Sequence, residues 1–333
     1  MLKFVDIIKR SKFLYGMGML VKYRNNNEYY DLILNKSPGV FVLRGNALKK
    51  SQNIYIINID NDKVAGYFAI IRNVLSGMYI ADTMGMLPYV NITRSLYNDS
   101  DNLFEYFFEQ PFKGSVDDIY EKYNCFLFER KHSQLVDNAL LDKYDLVNGY
   151  DVTDTYIEKM AYVYNKYLIL NKEGKLLEEK DIKELFGDNH VLGVHVRGTD
   201  FGKKLEGHPV QLNVEDYFDF VDEAMNRSIF NKIFIATDEN MILNKFEEKY
   251  PGKIIAFKDV YRSEDKESIH SQIKTKGMNG YQISKEVMRD MLALSNCEGL
   301  IAGKSQVSLM ARISKKANGK EFRYEKIINK GNN

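Results

Sequence analysis

The sequence predicts an α/β protein built on doubly wound parallel sheets, and three observations carry that expectation. In the first half, a branched apolar run at 52–60 (QNIYIINID), a long helical pattern and a second apolar run at 87–92 (LPYVNI) follow one another in the order of a right-handed crossover. From 191 onward, short strand-like runs alternate regularly with helical patterns, as in a second doubly wound unit. At 333 residues the chain exceeds one ordinary core, which predicts two domains, 1–150 and 151–333, with a cleft between them.

The elements follow in order. Gly66 opens a helix through YFAIIRNVLSGMYIADTMG, which a glycine ends. The aromatic-rich NLFEYFFEQPF at 102–112 reads as a further helix stopped by Pro111. Near 150 the pattern restarts with a helix through TYIEKMAYVYNKYLIL and a charged stretch that runs up to the strand at 191–196. Helices then read over 214–227, 240–250, 280–296 and 305–316, and strands over 232–238, 253–257 and 298–303. The polar, glycine-containing connection 261–280 is longer than an ordinary loop and reads as a lid or a surface loop.

Composition excludes several classes of function. Lys and Arg number 47 against 46 Asp and Glu, so the formal charge of +1 offers no field for a nucleic-acid backbone. Cys125 and Cys297 form neither a disulfide framework nor a zinc spacing, which fits a reducing compartment. No apolar run is long enough to span a membrane and no secretory leader pattern opens the chain, so a cytoplasmic protein is expected. The first two dozen residues mix basic and apolar side chains; they suit a helix packed on its own domain and also peripheral contact with a membrane.

The polar residues that the pattern places at strand ends, or on the helix beside them, are His195 to Asp200, Thr237 with Asp238, Asp290, and Ser305 with Gln306. All belong to the rim at which such sheets bind ligands, and a nucleotide suits them. Arg197 can grip a diphosphate with its planar fork, and the helix starting near Lys304 offers free amides. Asp290 can accept hydrogen bonds from a base bearing N–H groups. Plainer roles exist for the same residues: Asp238 and Ser305 stand where helix N-caps belong, and Asp290 stands within reach of Arg289 or Lys285.

The segment HVRGTD followed by GHP, then KIFIATDEN, then ISKEVMRDMLALSNCEGLIAGKSQVSLMAR resembles the three motif blocks of the fucosyltransferase superfamily that includes α1,6-, α1,2- and protein O-fucosyltransferases and nodulation enzymes. The blocks run in the same order, and GYFAIIRNVLSGMYIADTMGMLPYVNI with DNLFEYFFEQP is similar to the N-terminal half of bacterial members. The resemblance implies the GT-B arrangement, two facing Rossmann-like domains, with the acceptor side in the first. It also implies inverting transfer of fucose from GDP-fucose to a glycan acceptor, an oligosaccharide or lipid-linked glycan, with no metal or other cofactor. Carried over by position, it gives Arg197 the β-phosphate, His195 the nucleoside, Asp290 the guanine, and Ser305 with Gln306 the diphosphate and sugar. Arg72 and Asn73 take the place of polar residues facing the donor across the cleft.

Two departures from that pattern matter. Gly198 stands where the α1,2 and α1,6 enzymes carry a second arginine, so it joins the donor-binding set without a side chain. The carboxylate used as base in the α1,6 enzymes has no exact counterpart: Glu206 is the first candidate and Asp200 the second, with Lys203 and Lys204 as further cations. Two rivals remain open. Asp60 and Asp62 in IDNDK form an Asp-x-Asp string of the kind that binds Mn²⁺ in GT-A glycosyltransferases, and a relative that has lost catalysis would bind glycans only. A dinucleotide dehydrogenase is excluded because no G-x-G-x-x-G follows a strand.

Overall fold

The structure, a computed structural model, describes residues 53–61, 65–99, 102–131, 144–146, 149–198, 208–264, 273 and 277–333, with residues 14 and 21 besides. The expectations for Asp62, Asp200, Lys203, Lys204, Glu206, nearly all of the N-terminal segment and much of the 261–280 connection lie outside the described residues, as does the side chain of Asp60.

The first sheet is parallel. Strand β1 (Asn53–Asn61) lies between β2 (Leu87–Ser95) and β3 (Asn124–Lys131), with Ile57 opposite both Val90 and Phe128. Side chains alternate along a strand. Tyr55, Ile57 and Ile59 therefore enter the main core, while Ile54 and Ile56 meet Tyr89, Phe112 and Ile119 in a small cluster on the other face. Helix α1 (Tyr67–Thr83) connects β1 to β2 and is apolar around most of its circumference, as a helix enclosed between two layers must be. It approaches β1 closely at Gly77, where an added Cβ would lie 2.9 Å from Ile57 Cγ1.

The helix expected over 102–112 does not form. A 3₁₀ turn, Leu103–Tyr106, takes its place. The Asn102 side chain caps that turn and also bonds the β2 backbone, accepting from Ile92 N at 3.0 Å and donating to Val90 O at 2.6 Å, while Gln110 donates to the same carbonyl at 2.6 Å. These bonds tie the segment to the strand, and Phe104, Phe107 and Phe108 are buried without a helix to carry them. Helix α2 (Val116–Lys122), with a Ser115–Asp118 capping box, then leads to β3; neither element is predicted from the pattern.

The second sheet is also wholly parallel, in the order β6-β5-β4-β7-β8. Its strands are β4 (Val191–Val196), β5 (Lys232–Thr237), β6 (Ile254–Ile255), β7 (Gly299–Gly303) and β8 (Tyr324–Ile328), the last unpredicted. Counted within this half the order is 3-2-1-4-5, the Rossmann order, and the strand order reverses between β4 and β7. Helix α3 (Asp154–Tyr167) precedes it, followed by a helical stretch α4 over 172–186 that contains a π-helical segment, Leu177–Ile182. One face of the sheet, with Leu192, Val194 and Val196, is covered by α5 (Glu215–Asn226) and α6 (Asn240–Lys249). The other is covered by α7 (Gly280–Asn296) and α8 (Gln306–Ala317).

The two sheets share one apolar core. A single cluster runs from Tyr55 and Ile57 through α1, α3, α7 and α8 to Phe234 and Leu300. Helix α3 packs against α1 as well as α8, so the helix that opens the second half also belongs to the junction.

Candidate functional site

The chemistry converges where β4, β5 and β7 end. β4 carries His195 inward, opposite Ala302 of β7, and the chain leaves the sheet at Arg197 and Gly198. β5 ends at Thr237, followed by Asp238. His195, Arg197, Thr237 and Asp238 line one pocket together with Asp290 and Glu286 of α7, and its remaining wall is Val260, Tyr261, Ile283, Val287 and Val307. A pocket with an apolar wall, the acids Asp238, Glu286 and Asp290 and the cation Arg197 can take an aromatic ring bearing N–H donors and an attached anion. Larger grooves run along α3 and the C-terminal half of α8, but there charges face each other, as Lys316 and Glu321 do at 3.3 Å.

Asp238 organises the turn after β4. Its carboxylate accepts from Gly198 N at 2.8 Å and lies 3.4 Å from Arg197 Nη1. Asp238 is therefore not a helix cap; Glu239 takes that position at α6, without a side-chain bond. Gly198 has its amide on Asp238 and its carbonyl on Gln211 Nε2 at 3.1 Å. A Cβ at this position would lie 2.5 Å from Glu239 Oε1. The space beside the turn is filled by a buried carboxylate, so a side chain has no room at Gly198, and its amide and carbonyl are both engaged within the protein.

His195 is buried, and burial, helped by the charge of Arg197, lowers its pKa to about 4 against the pull of Asp238. It is a neutral imidazole at pH 7, with Nδ1 at 3.3 Å from Ser305 Oγ. Ser305 is the N-cap of α8, in a reciprocal box with Ser308. The helix ladder starts at Leu309 N, so the Gln306 and Val307 amides stand at the open, positive end of α8.

Asp290 is strongly perturbed by its surroundings. The residue is half-buried, but Oδ1 is sealed from solvent and has no hydrogen-bond partner among the described residues. Burial raises its pKa to about 7, against the charges of Arg262 and Arg289. Arg289 does not pair with it: its guanidinium holds Asp259 at 2.7 and 3.0 Å and approaches Asp181 of the π-helical segment at 3.4 Å. A carboxylate oxygen sealed from solvent with no donor among the described residues is costly, and a ligand that brings an N–H would relieve that cost.

Arg72 reaches the site from the other half. Nε donates to Tyr156 OH at 2.8 Å, and Nη1 to Gly149 O at 2.6 Å and Gln306 Oε1 at 3.4 Å. Its neighbour Asn73 instead donates back to Ala69 O at 2.8 Å within α1. Glu286, Tyr261, Arg262 and Glu239 are absent from the sequence-based set. Helical spacing of four from Asp290 would have indicated Glu286; nothing in the polar connection marks Tyr261 or Arg262. Among the described residues no group of three His, Cys, Asp or Glu is placed to hold a metal ion, and no helix is long and apolar enough to cross a membrane.

No family model matches the chain, and no curated protein matches it. It is similar in structure to NodZ alpha-1,6-fucosyltransferase soaked with GDP-fucose, at 15% identity over 78% of this chain and 91% of that chain, with a TM-score of 0.47. A structure of fucosyltransferase NodZ from Bradyrhizobium gives 15%, 80%, 93% and 0.45 for the same quantities. POFUT1 in complex with GDP-fucose gives 10%, 85%, 99% and 0.46.

Proposed function

We infer that the protein is an inverting glycosyltransferase that moves L-fucose from GDP-fucose to a glycan acceptor. The observation that carries this reading is the Asp290 carboxyl, whose sealed Oδ1 has no partner among the described residues, in one pocket with neutral His195 and with Arg197, where the strand order of a Rossmann-ordered sheet reverses. Guanine presents two N–H donors to a carboxylate, whereas uracil brings a single N–H between two carbonyl oxygens that a carboxylate repels. The diphosphate then extends towards Arg197 and the α8 N-terminus, where charge grows as the sugar–phosphate bond breaks. The three motif blocks support the same assignment from the sequence.

In this reading residues 151–333 form the nucleotide-sugar domain and 1–150 the acceptor side of a GT-B arrangement. The acceptor hydroxyl attacks the face of the sugar opposite the diphosphate, and its proton passes to a carboxylate: Glu206 first, Asp200 second. No metal takes part. The enzyme works in the cytoplasm at the inner face of the membrane, on an oligosaccharide or lipid-linked glycan of surface polysaccharide synthesis. The test is release of GDP from GDP-fucose with a panel of glycan acceptors. Turnover should be unchanged by EDTA and reduced about 10²- to 10⁴-fold by Glu206→Gln with donor binding preserved. A normal Glu206→Gln beside a folded, inactive Asp200→Asn would move the base to Asp200. Loss of turnover in EDTA with recovery in Mn²⁺ would overturn the metal-free mechanism.

A further inference from the structure

Arg262 follows β6 in the chain and is 7% exposed, yet it does not line the pocket. Its Nη2 donates to Phe257 O at 3.0 Å, and its Nε is buried with no hydrogen-bond partner among the described residues. The backbone is fixed on both sides of it. Tyr261 N donates to Glu286 Oε2 at 2.9 Å, and Ser263 N donates to Asp238 O at 2.7 Å, so the residues flanking Arg262 are fastened to the two acid-bearing walls of the pocket. Buried Arg262 and half-buried Asp290 thus each keep a sealed polar atom with no partner among the described residues, and they form no ion pair with each other.

We propose that Arg262 is a positioning residue for base recognition: a fixed counter-charge beside Asp290 that allows the carboxylate to form against a base carrying two N–H donors. This rests on the guanine reading of the site. The charges around Asp290 are accounted for element by element. From its own helix Glu286 opposes ionisation and Arg289 favours it, but Arg289 is divided between Asp259 and Asp181. From the end of β5 Asp238 opposes it, and the Asp238 carboxylate also engages Arg197 of the β4 end at 3.4 Å. His195 is neutral. Arg262 favours ionisation from the connection after β6, held at the α7 wall by the Tyr261 N bond to Glu286, one helical turn from Asp290. A direct pair would consume the carboxylate; a cation fastened at the same wall supports its charge and leaves its oxygens to the ligand.

The experiment is calorimetric titration of GDP and UDP between pH 6 and 9 into the full chain and its Arg262→Met, Arg262→Lys and Asp290→Asn variants. The parent's GDP affinity should rise with pH through about 7 and level off. Arg262→Met should move that rise upward by about one pH unit, which reads as about tenfold weaker binding at pH 6 and parental binding within about twofold at pH 9. Arg262→Lys, which keeps the charge, should follow the parent. Equal weakening by Arg262→Met at every pH, or a parental profile, would overturn the proposal. Should the Met variant fail to fold, Arg262→Gln against Arg262→Lys makes the same comparison. A parent with no preference for GDP over UDP would remove the guanine reading itself; a parent that discriminates through Asp290 beside an unmoved Arg262→Met would remove only the role of Arg262.

Discussion

Asp290 lowers the stability of the fold when it ionises. Its folded pKa of about 7 lies above the 3.8 of an unhindered aspartate, so between those values the folded protein holds a proton that the unfolded chain has released. Stability therefore falls as pH rises through this window, and the penalty is complete above about 7. Asp290→Asn removes the charge. It should unfold at a higher temperature than the parent at pH 8, by on the order of 2–4 kcal/mol of stability, and the difference should vanish near pH 4. A variant less stable than the parent at pH 8 would mean that Asp290 holds a protein contact and is not reserved for a ligand.

Helix α7 places Asp290, and its N-terminus is held from the other half of the chain. Asp99, beyond β2, accepts from Gly280 N at 2.9 Å and from Tyr281 N at 2.6 Å, alongside the Asn279 cap that accepts from Gln282 N at 2.8 Å. Asp99→Ala should cost about 1–2 kcal/mol in chemical denaturation, and Asp99→Asn less. No loss in the Ala variant would show that Asn279 suffices. The helix itself is legible in the sequence because its apolar positions recur with helical period, and so are the strands β4, β5 and β7, which are short, mostly apolar runs between polar segments. The aromatic segment 102–112 misleads because side-chain bonds from Asn102 and Gln110 to β2 decide its path, and those are long-range. The same holds at the site. Strand ends reveal His195, Arg197 and Asp238, but that Asp238 secures the Gly198 turn, and that Arg262 is fastened beside α7, depends on contacts between distant segments. Gly198 marks a gap in the motif; only the structure shows that Glu239 fills it.

At the scale of the molecule, two parallel sheets are joined through one continuous core and through buried Arg72, which bonds Tyr156, Gly149 and Gln306. A junction of this kind ties the folding of the halves together. Thermal unfolding followed by far-UV and near-UV circular dichroism should give one coincident transition, and Arg72→Met should shift it as a whole; two separated transitions would show that the halves fold independently. The central claim is that the pocket at the ends of β4 and β5 reads guanine. Its most direct test is calorimetric titration of GDP and UDP into the parent, Asp290→Asn and Arg197→Ala at pH 8. GDP should bind the parent at least about 100-fold more tightly than UDP. Asp290→Asn should narrow that ratio, and Arg197→Ala should weaken both nucleotides by about 10- to 100-fold without changing it. Equal affinity of the parent for GDP and UDP would contradict the assignment.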